Sequence, residues 1–230
     1  MTQPLEDLSG KRLVAALEKR FDTVIEDVPV ADRTFSILRP RKSDDLIREE
    51  DFVEDERLPY WADIWPASTI LAERILARNG HGRRLLELGC GVGLVTTAAM
   101  ASGHEVLASD YYTDALAFTR ANAFQNLGKS PEARMLNWRS FPADATNFDK
   151  VIASDVLYES EYAKILPRVL MRALSLHGVA LIADPGRIAA PEFLGKCENV
   201  GLEILGKETF PYEIGEIKQQ IDVYELGRTK

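Results

Sequence analysis

Glu87, Gly89, Gly91 and Gly93 alternate with Leu88, Cys90 and Val92 directly after the apolar pair Leu85–Leu86. Glycine has no Cβ and takes φ > 0 at little cost, so backbone at Gly89 and Gly91 can lie against a ligand that a larger side chain would push away. A dinucleotide fingerprint reads G-x-G-x-x-G; here a carboxylate precedes the first of three alternating glycines by two positions, a different nucleotide cradle. Asp110 ends the next apolar run, about 20 residues on, the offset at which a carboxylate takes ribose hydroxyls. A Gly-rich turn needs no ligand by itself, and an aspartate at a strand end is often a helix cap, though Thr113 or Asp114 are available for that duty. Strand, glycine turn, helix, strand and acid within one βαβ unit favour the cradle. Further on, Ser154 and Asp155 close the run Val151–Ala153, at the strand end where open α/β sheets bind ligands, and Tyr158 follows three residues later.

These residues need strands to carry them and helices to separate the strands. From Trp65 onward the pattern predicts helix 67–77, strand 84–88, helix 93–102, strand 105–109, helix 113–127, strands 133–136 and 150–153, helix 161–173, strand 179–184 and helix 190–199. Alternation at this spacing implies a parallel sheet covered on both faces. Segments 202–212 and 218–226 are β-rich with no helix between them, which predicts an antiparallel C-terminal hairpin. The fold class is therefore α/β, a doubly wound, mostly parallel sheet ending in a hairpin. Residues 1–57 read as an N-terminal extension: a helical stripe from Leu5 to Phe21 weakened at Ser9–Gly10, a hairpin through 23–28 and 34–38, and a charged run whose acidic part, 49–56, reads as a solvated segment. Residues 58–230 then form the ligand-binding domain. Between the two lies Pro59-Tyr60-Trp61 through Trp65-Pro66. Proline suits the first turn of a helix, so Trp65 stands at its entrance, while Tyr60 and Trp61 serve packing or ligand contact equally well.

A chain of 230 residues buries a sizeable core without a staple. Its two cysteines, Cys90 and Cys197, fall in a predicted loop and a predicted helix, which argues against a disulfide framework and for a reducing cytoplasm. No apolar run approaches the roughly 20 residues of a membrane span, and the N-terminus has no hydrophobic signal segment. Lys+Arg 28 against Asp+Glu 36 leaves a net charge of −8, which opposes nucleic acid and suits a basic partner. His81, His104 and His177 fall in predicted turns without helical partners and the cysteines lack C-x-x-C spacing, so no metal is expected.

The run E-x-G-x-G-x-G resembles motif I of the class I, seven-β-strand S-adenosylmethionine-dependent methyltransferases, whose doubly wound sheet also ends in an antiparallel hairpin. Together with Pro59-Tyr60-Trp61, Trp65-Pro66, Asn137-Trp138 and Asp155-x-x-Tyr158, it is similar to the Asp-x-x-Tyr protein-lysine methyltransferases over Pro59 to Arg187. Asp184-Pro185-Gly186-Arg187 resembles the branch that methylates the β subunit of electron-transfer flavoprotein. The resemblance implies Trp65, Gly89, Gly91, Asp110, Trp138 and Ser154 around S-adenosyl-L-methionine or its product S-adenosyl-L-homocysteine. Glu87 would lie beside the methionine ammonium, Trp138 along the adenine, and Asp155 and Tyr158 before the methyl-accepting nitrogen.

Methyl transfer from a sulfonium is an in-line displacement with a good leaving group, so alignment supplies most of the catalysis. A lysine acceptor must first lose a proton; Tyr158 as hydrogen-bond acceptor and Asp155 as positioning carboxylate would assist in a partly desolvated channel. The implied partner is a protein presenting a lysine, with electron-transfer flavoprotein β subunit the candidate. Two alternatives share the cofactor residues: a small-molecule N-methyltransferase with a closed acceptor pocket, and a non-catalytic cofactor-binding module.

Overall fold

The structure, a computed structural model, describes residues 3–46 and 58–229, so the acidic segment 49–56 lies outside the described residues. Among the described residues, nine strands form: β1 (Thr23–Val30), β2 (Arg33–Pro40), β3 (Arg84–Leu88), β4 (Glu105–Asp110), β5 (Glu132–Met135), β6 (Phe148–Ser154), β7 (Leu174–Asp184), β8 (Leu202–Ile214) and β9 (Ile217–Arg228). β1 and β2 pair only with each other; the other seven make one sheet in the order β5-β4-β3-β6-β7-β9-β8. Pairing is parallel from β5 through β7 and antiparallel at β7–β9 and β9–β8. The order reverses between β3 and β6, and the crevice beyond the carboxyl ends of these two neighbours is where such a sheet takes a ligand. That crevice receives the glycine run from β3 and Ser154–Tyr158 from β6.

Among the described residues, six helices accompany the strands: α1 (Gly10–Arg20), α2 (Pro66–Leu76), α3 (Leu94–Ala101), α4 (Thr113–Leu127), α5 (Ser160–Ala173) and α6 (Ala190–Asn199). Successive strand residues point to opposite faces, and the two cores show it. Leu85, Ile152 and Leu181 pack with Leu71, Ala98 and Phe118 beneath α2, α3 and α4. Leu86, Val151 and Ile182 pack with Leu166, Leu170 and Phe193 beneath α5 and α6. Both faces being covered, the central strands carry short apolar runs, Leu85–Leu86, Val106–Ala108 and Val151–Ala153, instead of a strict apolar–polar alternation.

The N-terminal stripe differs from a single helix. A short 3-10 turn at Leu5–Asp7 stops before Ser9, and α1 begins at Gly10. Gly10 has φ 56, a left-handed turn of the chain that an unbroken helix does not contain. The β1–β2 hairpin is secured by α4 rather than by a third strand. Buried Asn122 accepts from Leu38 N–H at 2.7 Å and donates to the carbonyls of Leu38 and Val92 at 2.8 Å each. Asn126 does the same for Ser36, accepting at 3.0 Å and donating at 2.9 Å. Two amides thus satisfy backbone groups that the edge of β2 would otherwise leave open.

Three boundaries depart from expectation for local reasons. α5 passes into β7 without a loop, so β7 starts at Leu174, earlier than the pattern suggests, and takes in His177, which therefore lies in a strand and not a turn. Neither Thr113 nor Asp114 caps α4; Tyr112 occupies the capping position without a side-chain bond. β8 and β9 extend to Ile214 and from Ile217, leaving a two-residue turn at Gly215–Glu216. β8 closes one sheet edge, and Pro211, Lys207 and Glu208 on it discourage further strand pairing.

Candidate functional site

A cavity of about 780 Å³ opens at the carboxyl ends of β3, β4 and β6. The cradle begins where β3 ends. Gly89, Gly91 and Gly93 have φ of 72, 53 and 87, all in the left-handed region that only glycine enters cheaply. Their reasons differ. A Cβ on Gly93 would lie 2.7 Å from the Cα of Thr119, so this glycine lets α3 approach α4. A Cβ on Gly91 would lie 3.0 Å from the carbonyl of Trp61, and one on Gly89 would meet Val156 at 3.2 Å and Trp138 at 4.0 Å on the cavity floor. Gly89 thus keeps the floor open, while Gly91 lets the Trp61 segment close over the turn.

Two buried carboxylates flank the cradle. Asp110 accepts from Gly91 N–H at 2.9 Å through Oδ2 and from Tyr112 N–H at 3.0 Å through Oδ1, fixing the cradle to the end of β4. Burial raises its pKa, and the backbone donors act against that rise. With Tyr111 N–H as a further backbone donor, the carboxylate still keeps a lone pair for a hydroxyl of a ligand. Glu87, 1% exposed, accepts a short hydrogen bond from Thr96 Oγ1. Burial pushes its pKa up to about 8, with the Asp110 charge adding to the rise and the Thr96 bond opposing it. A cationic group in the cavity would find in Glu87 a carboxyl ready to ionise.

Trp65 precedes Pro66 at the entrance of α2, as its sequence context suggests, and its indole N–H donates to the Tyr60 carbonyl at 2.9 Å. Trp138 starts a 3-10 turn capped by Asn137 and meets Tyr162 edge to face at 5.2 Å. Tyr158 joins these rings, 5.4 Å from Tyr60 and 5.5 Å from Tyr162, while Tyr60 reaches Trp65 at 5.9 Å. Five aromatic rings thus line one wall without a break. Removal of water pushes the Tyr158 phenol far above its ordinary pKa, and Tyr162, Glu159 and Asp110 add to the effect. The neutral hydroxyl is the form present at physiological pH. Trp61 parts from Tyr60: it is buried, with its ring against Phe118 at 5.6 Å.

Asp155 has φ 53, a strained setting for a residue with a Cβ, held by its N–H bond to the Ala183 carbonyl at 2.9 Å. Asp155 is 7% exposed and each of its oxygens accepts from one guanidinium: Arg187 Nε donates to Oδ1 at 2.7 Å and Nη2 to Oδ2 at 2.9 Å. The cavity wall therefore brings together Trp65, Glu87, Gly89, Gly91, Asp110, Trp138, Ser154, Asp155 and Tyr158. Arg187 is the residue that motif spacing alone did not single out as functional; its signal was the Asp184-Pro185-Gly186-Arg187 turn after β7. Tyr162 is a second, visible only once α5 is placed. Among the described residues, no group of three or more His, Cys, Asp or Glu gathers as a metal-ligand set. His104 is buried on Ser102, 2.9 Å away, with its pKa lowered to about 4 by burial and by Lys150. No helix of the described residues is long and apolar enough to cross a membrane.

Sheet order, cradle and cavity together define the S-adenosylmethionine-dependent methyltransferase fold. The solved structure of magnesium protoporphyrin IX methyltransferase from Synechocystis PCC 6803, with bound SAM, shares it: TM-score 0.56 at 17% identity, covering 71% of this chain and 78% of that one. Within that fold, the chain belongs to the lysine methyltransferase family, whose sequence pattern matches residues 43–198. The electron transfer flavoprotein beta subunit lysine methyltransferase of Danio rerio is 34% identical over 135 residues, 56% of this chain and 51% of that protein. The chain spans about half the length of this relative. Protein-lysine methyltransferase METTL21E of Mus musculus is 25% identical over 179 residues, 71% of this chain and 68% of that protein.

Proposed function

We propose that the chain transfers a methyl group from S-adenosyl-L-methionine to a lysine side chain of a protein. The observation that carries the reading is one cavity joining the glycine cradle and Asp110 to Tyr158 and Asp155, in a chain of the lysine methyltransferase family. The residues suit the cofactor. A Cβ at Gly89 would intrude on the cavity floor, Asp110 keeps acceptor capacity for a ribose hydroxyl, and Glu87 offers a buried carboxyl to an ammonium. Trp138 and Leu136 give a flat apolar wall for a base. When bound, the cofactor supplies a methyl group on a sulfonium, an electrophile that needs no metal.

The rest of the work falls to the chain. The acceptor nitrogen must arrive unprotonated and aligned, and holding it so is worth much of the barrier. The neutral Tyr158 hydroxyl accepts a hydrogen bond from the amine, Asp155 orients it from the strand end, and the rings of Tyr60 and Tyr162 hold the Tyr158 ring edge to face. The β subunit of electron-transfer flavoprotein is the proposed acceptor, supported by the Asp184-Pro185-Gly186-Arg187 turn and by the named activity of the Danio rerio relative. The test is incubation with methyl-labelled cofactor, first with that purified subunit and then with whole lysate, followed by mass spectrometry. Label on a lysine of the subunit supports the full reading. Label on other protein lysines withdraws the named acceptor, and label confined to small molecules or RNA overturns the protein-lysine reading.

A further inference from the structure

Among the described residues, the cavity is lined by five carboxylates, Asp63, Asp110, Asp155, Glu159 and Glu161, by the protonated carboxyl of Glu87, and by two guanidiniums, Arg139 and Arg187. Such a lining attracts a lysine ammonium but also keeps it protonated, because an opposite charge within about 4–6 Å favours the charged form. An ammonium has no lone pair to attack a methyl group. The cavity therefore has to draw the acceptor in without fixing its proton.

We propose that Arg187 is a positioning residue that neutralises Asp155, so that Asp155 orients the acceptor amine without raising the amine's pKa. The inference rests on the lysine-acceptor reading above. Its geometry is built into the backbone on both sides. Asp155 is locked at φ 53 at the end of β6. Arg187 is locked by Asp184, whose Oδ1 accepts from Gly186 N–H and Arg187 N–H, each at 2.8 Å. The guanidinium also lies 6.0 Å from the Trp65 ring, so it spans from β6 and β7 to the entrance of α2. A bidentate fork of this kind is geometrically specific in a way a lysine ammonium is not. Other charged or titratable groups facing the pair are Tyr60 and Asp63 from the segment before α2, Glu87 and Asp110 from β3 and β4, Tyr158 and Glu159 before α5, and Glu161 and Tyr162 on α5. Asp184 lies at the end of β7, and Asp222 and Tyr224 on β9 beside it. Arg139 is already forked onto Glu161, at 3.0 Å and 2.5 Å, which leaves Arg187 to offset Asp155.

The alternative is a purely structural clamp between two loops, and pH separates the two roles. Exposing the Asp155 charge in Arg187→Gln should raise the pKa of the bound acceptor and move the acidic limb of kcat, which reports groups in the enzyme–substrate complex, about one pH unit upward. Asp155→Asn leaves Arg187 unpaired and should move the same limb downward. Asp155→Asn with Arg187→Gln, neutral at both positions and free of a buried lone charge, should return it to within a few tenths of a unit of wild type, roughly the no-shift expectation. Arg187→Lys, which keeps the charge but not the fork, should lower kcat while holding the limb in place. A limb that stays put in both single variants, or that moves the same way in both, overturns the proposal. A second measurement needs no turnover. With S-adenosyl-L-homocysteine bound, n-butylammonium should bind Arg187→Gln roughly five- to tenfold more tightly than wild type, the effect of one exposed carboxylate. Unchanged binding overturns the proposal even if wild-type protein methylates no lysine, whereas tighter binding with no lysine labelled keeps the charge role and removes only the acceptor reading.

Discussion

The two ends of the cavity are built by different means. The end assigned to the cofactor takes Glu87, Gly89, Gly91 and Asp110 from a single βαβ unit, and backbone conformation and main-chain donors do most of the shaping. The end assigned to the acceptor takes Tyr60, Asp155, Tyr158 and Arg187 from three loops that meet only because β6 lies beside β3 and β7 beside β6. There the shaping comes from side chains: ring edges and one guanidinium fork. A cradle made of backbone survives changes in side chains around it, so a common cofactor and varied acceptors can share the fold. A wall made of side chains is open to substitution and sets specificity.

The sharpest way to break this comparison is Asp110→Ala. It removes the acceptor of the Gly91 and Tyr112 N–H groups together with the acceptor capacity offered to ribose. Cofactor affinity should fall by about 2–4 kcal/mol, tens to hundreds of times. Calorimetry on the folded variant reads it, and an unchanged affinity would remove Asp110 from the cofactor end.

Tyr158→Phe probes the other end. The hydroxyl is neutral at physiological pH, and in the proposed role its bond to the amine would belong to the transition state. Turnover should drop on the order of 10–100-fold with cofactor affinity within twofold of wild type. Equal losses in both quantities would mean that the two ends are not separable.

The contrast also explains what could be read from the amino-acid order. The cradle was legible because its glycines, Glu87 and Asp110 are fixed by local backbone demands that leave a spacing in the chain. The sheet was legible because α/β alternation dictates parallel pairing, and β3, α4 and α6 fall on the expected residues. The Asp155–Arg187 fork was not legible: the two residues are far apart in the chain, and nothing in either local pattern announces the partner. Asn122 was missed for a related reason. An amide inside an alanine-rich helix looks like a solvated position, yet it is fully buried and holds both the hairpin and Val92. The separate 3-10 turn before α1 escaped because Leu5 and Leu8 fit a helical stripe whether or not the chain is continuous through Gly10.

Glu87 joins the comparison through pH. Folded, its carboxyl holds a proton up to about pH 8, whereas a free glutamate titrates near 4.3, so the folded chain binds the extra proton between those values. Its contribution to stability is complete below about pH 4 and is lost as pH rises through about 8. Glu87→Gln stays neutral and keeps an oxygen for the Thr96 hydroxyl. Without ligand, this variant should be more stable than wild type at pH 8.5 by on the order of 1–3 kcal/mol, or roughly 2–10 °C in Tm, with the gap closing near pH 5. Cofactor affinity should fall at the same time. Thermal scans across pH check the first part; a variant no more stable than wild type at pH 8.5 would mean that Glu87 is ionised there without cost.

Ionic strength gives the smallest effect and the cleanest separation of the two ends. Asp63 and Glu159 are only partly buried at the acceptor rim, and the net charge of −8 extends the same sign over the chain. Charges at such a rim act on an approaching basic segment across water, and salt screens them over about 8–10 Å near physiological strength. Asp110 and Glu87 act within a buried cradle, at hydrogen-bond range, where screening is weak. Raising salt from roughly 50 to 300 mM should therefore increase the apparent KM for the protein acceptor about two- to fivefold. kcat and the cofactor Kd should change by less than about 1.5-fold, since neither depends on charges separated by water. Steady-state kinetics at fixed saturating cofactor, with calorimetry in the same buffers, reads both. If the cofactor Kd moved with salt as strongly as the acceptor KM, the cradle would depend on exposed charge rather than on backbone, and the distinction between the two ends would fail at its physical root.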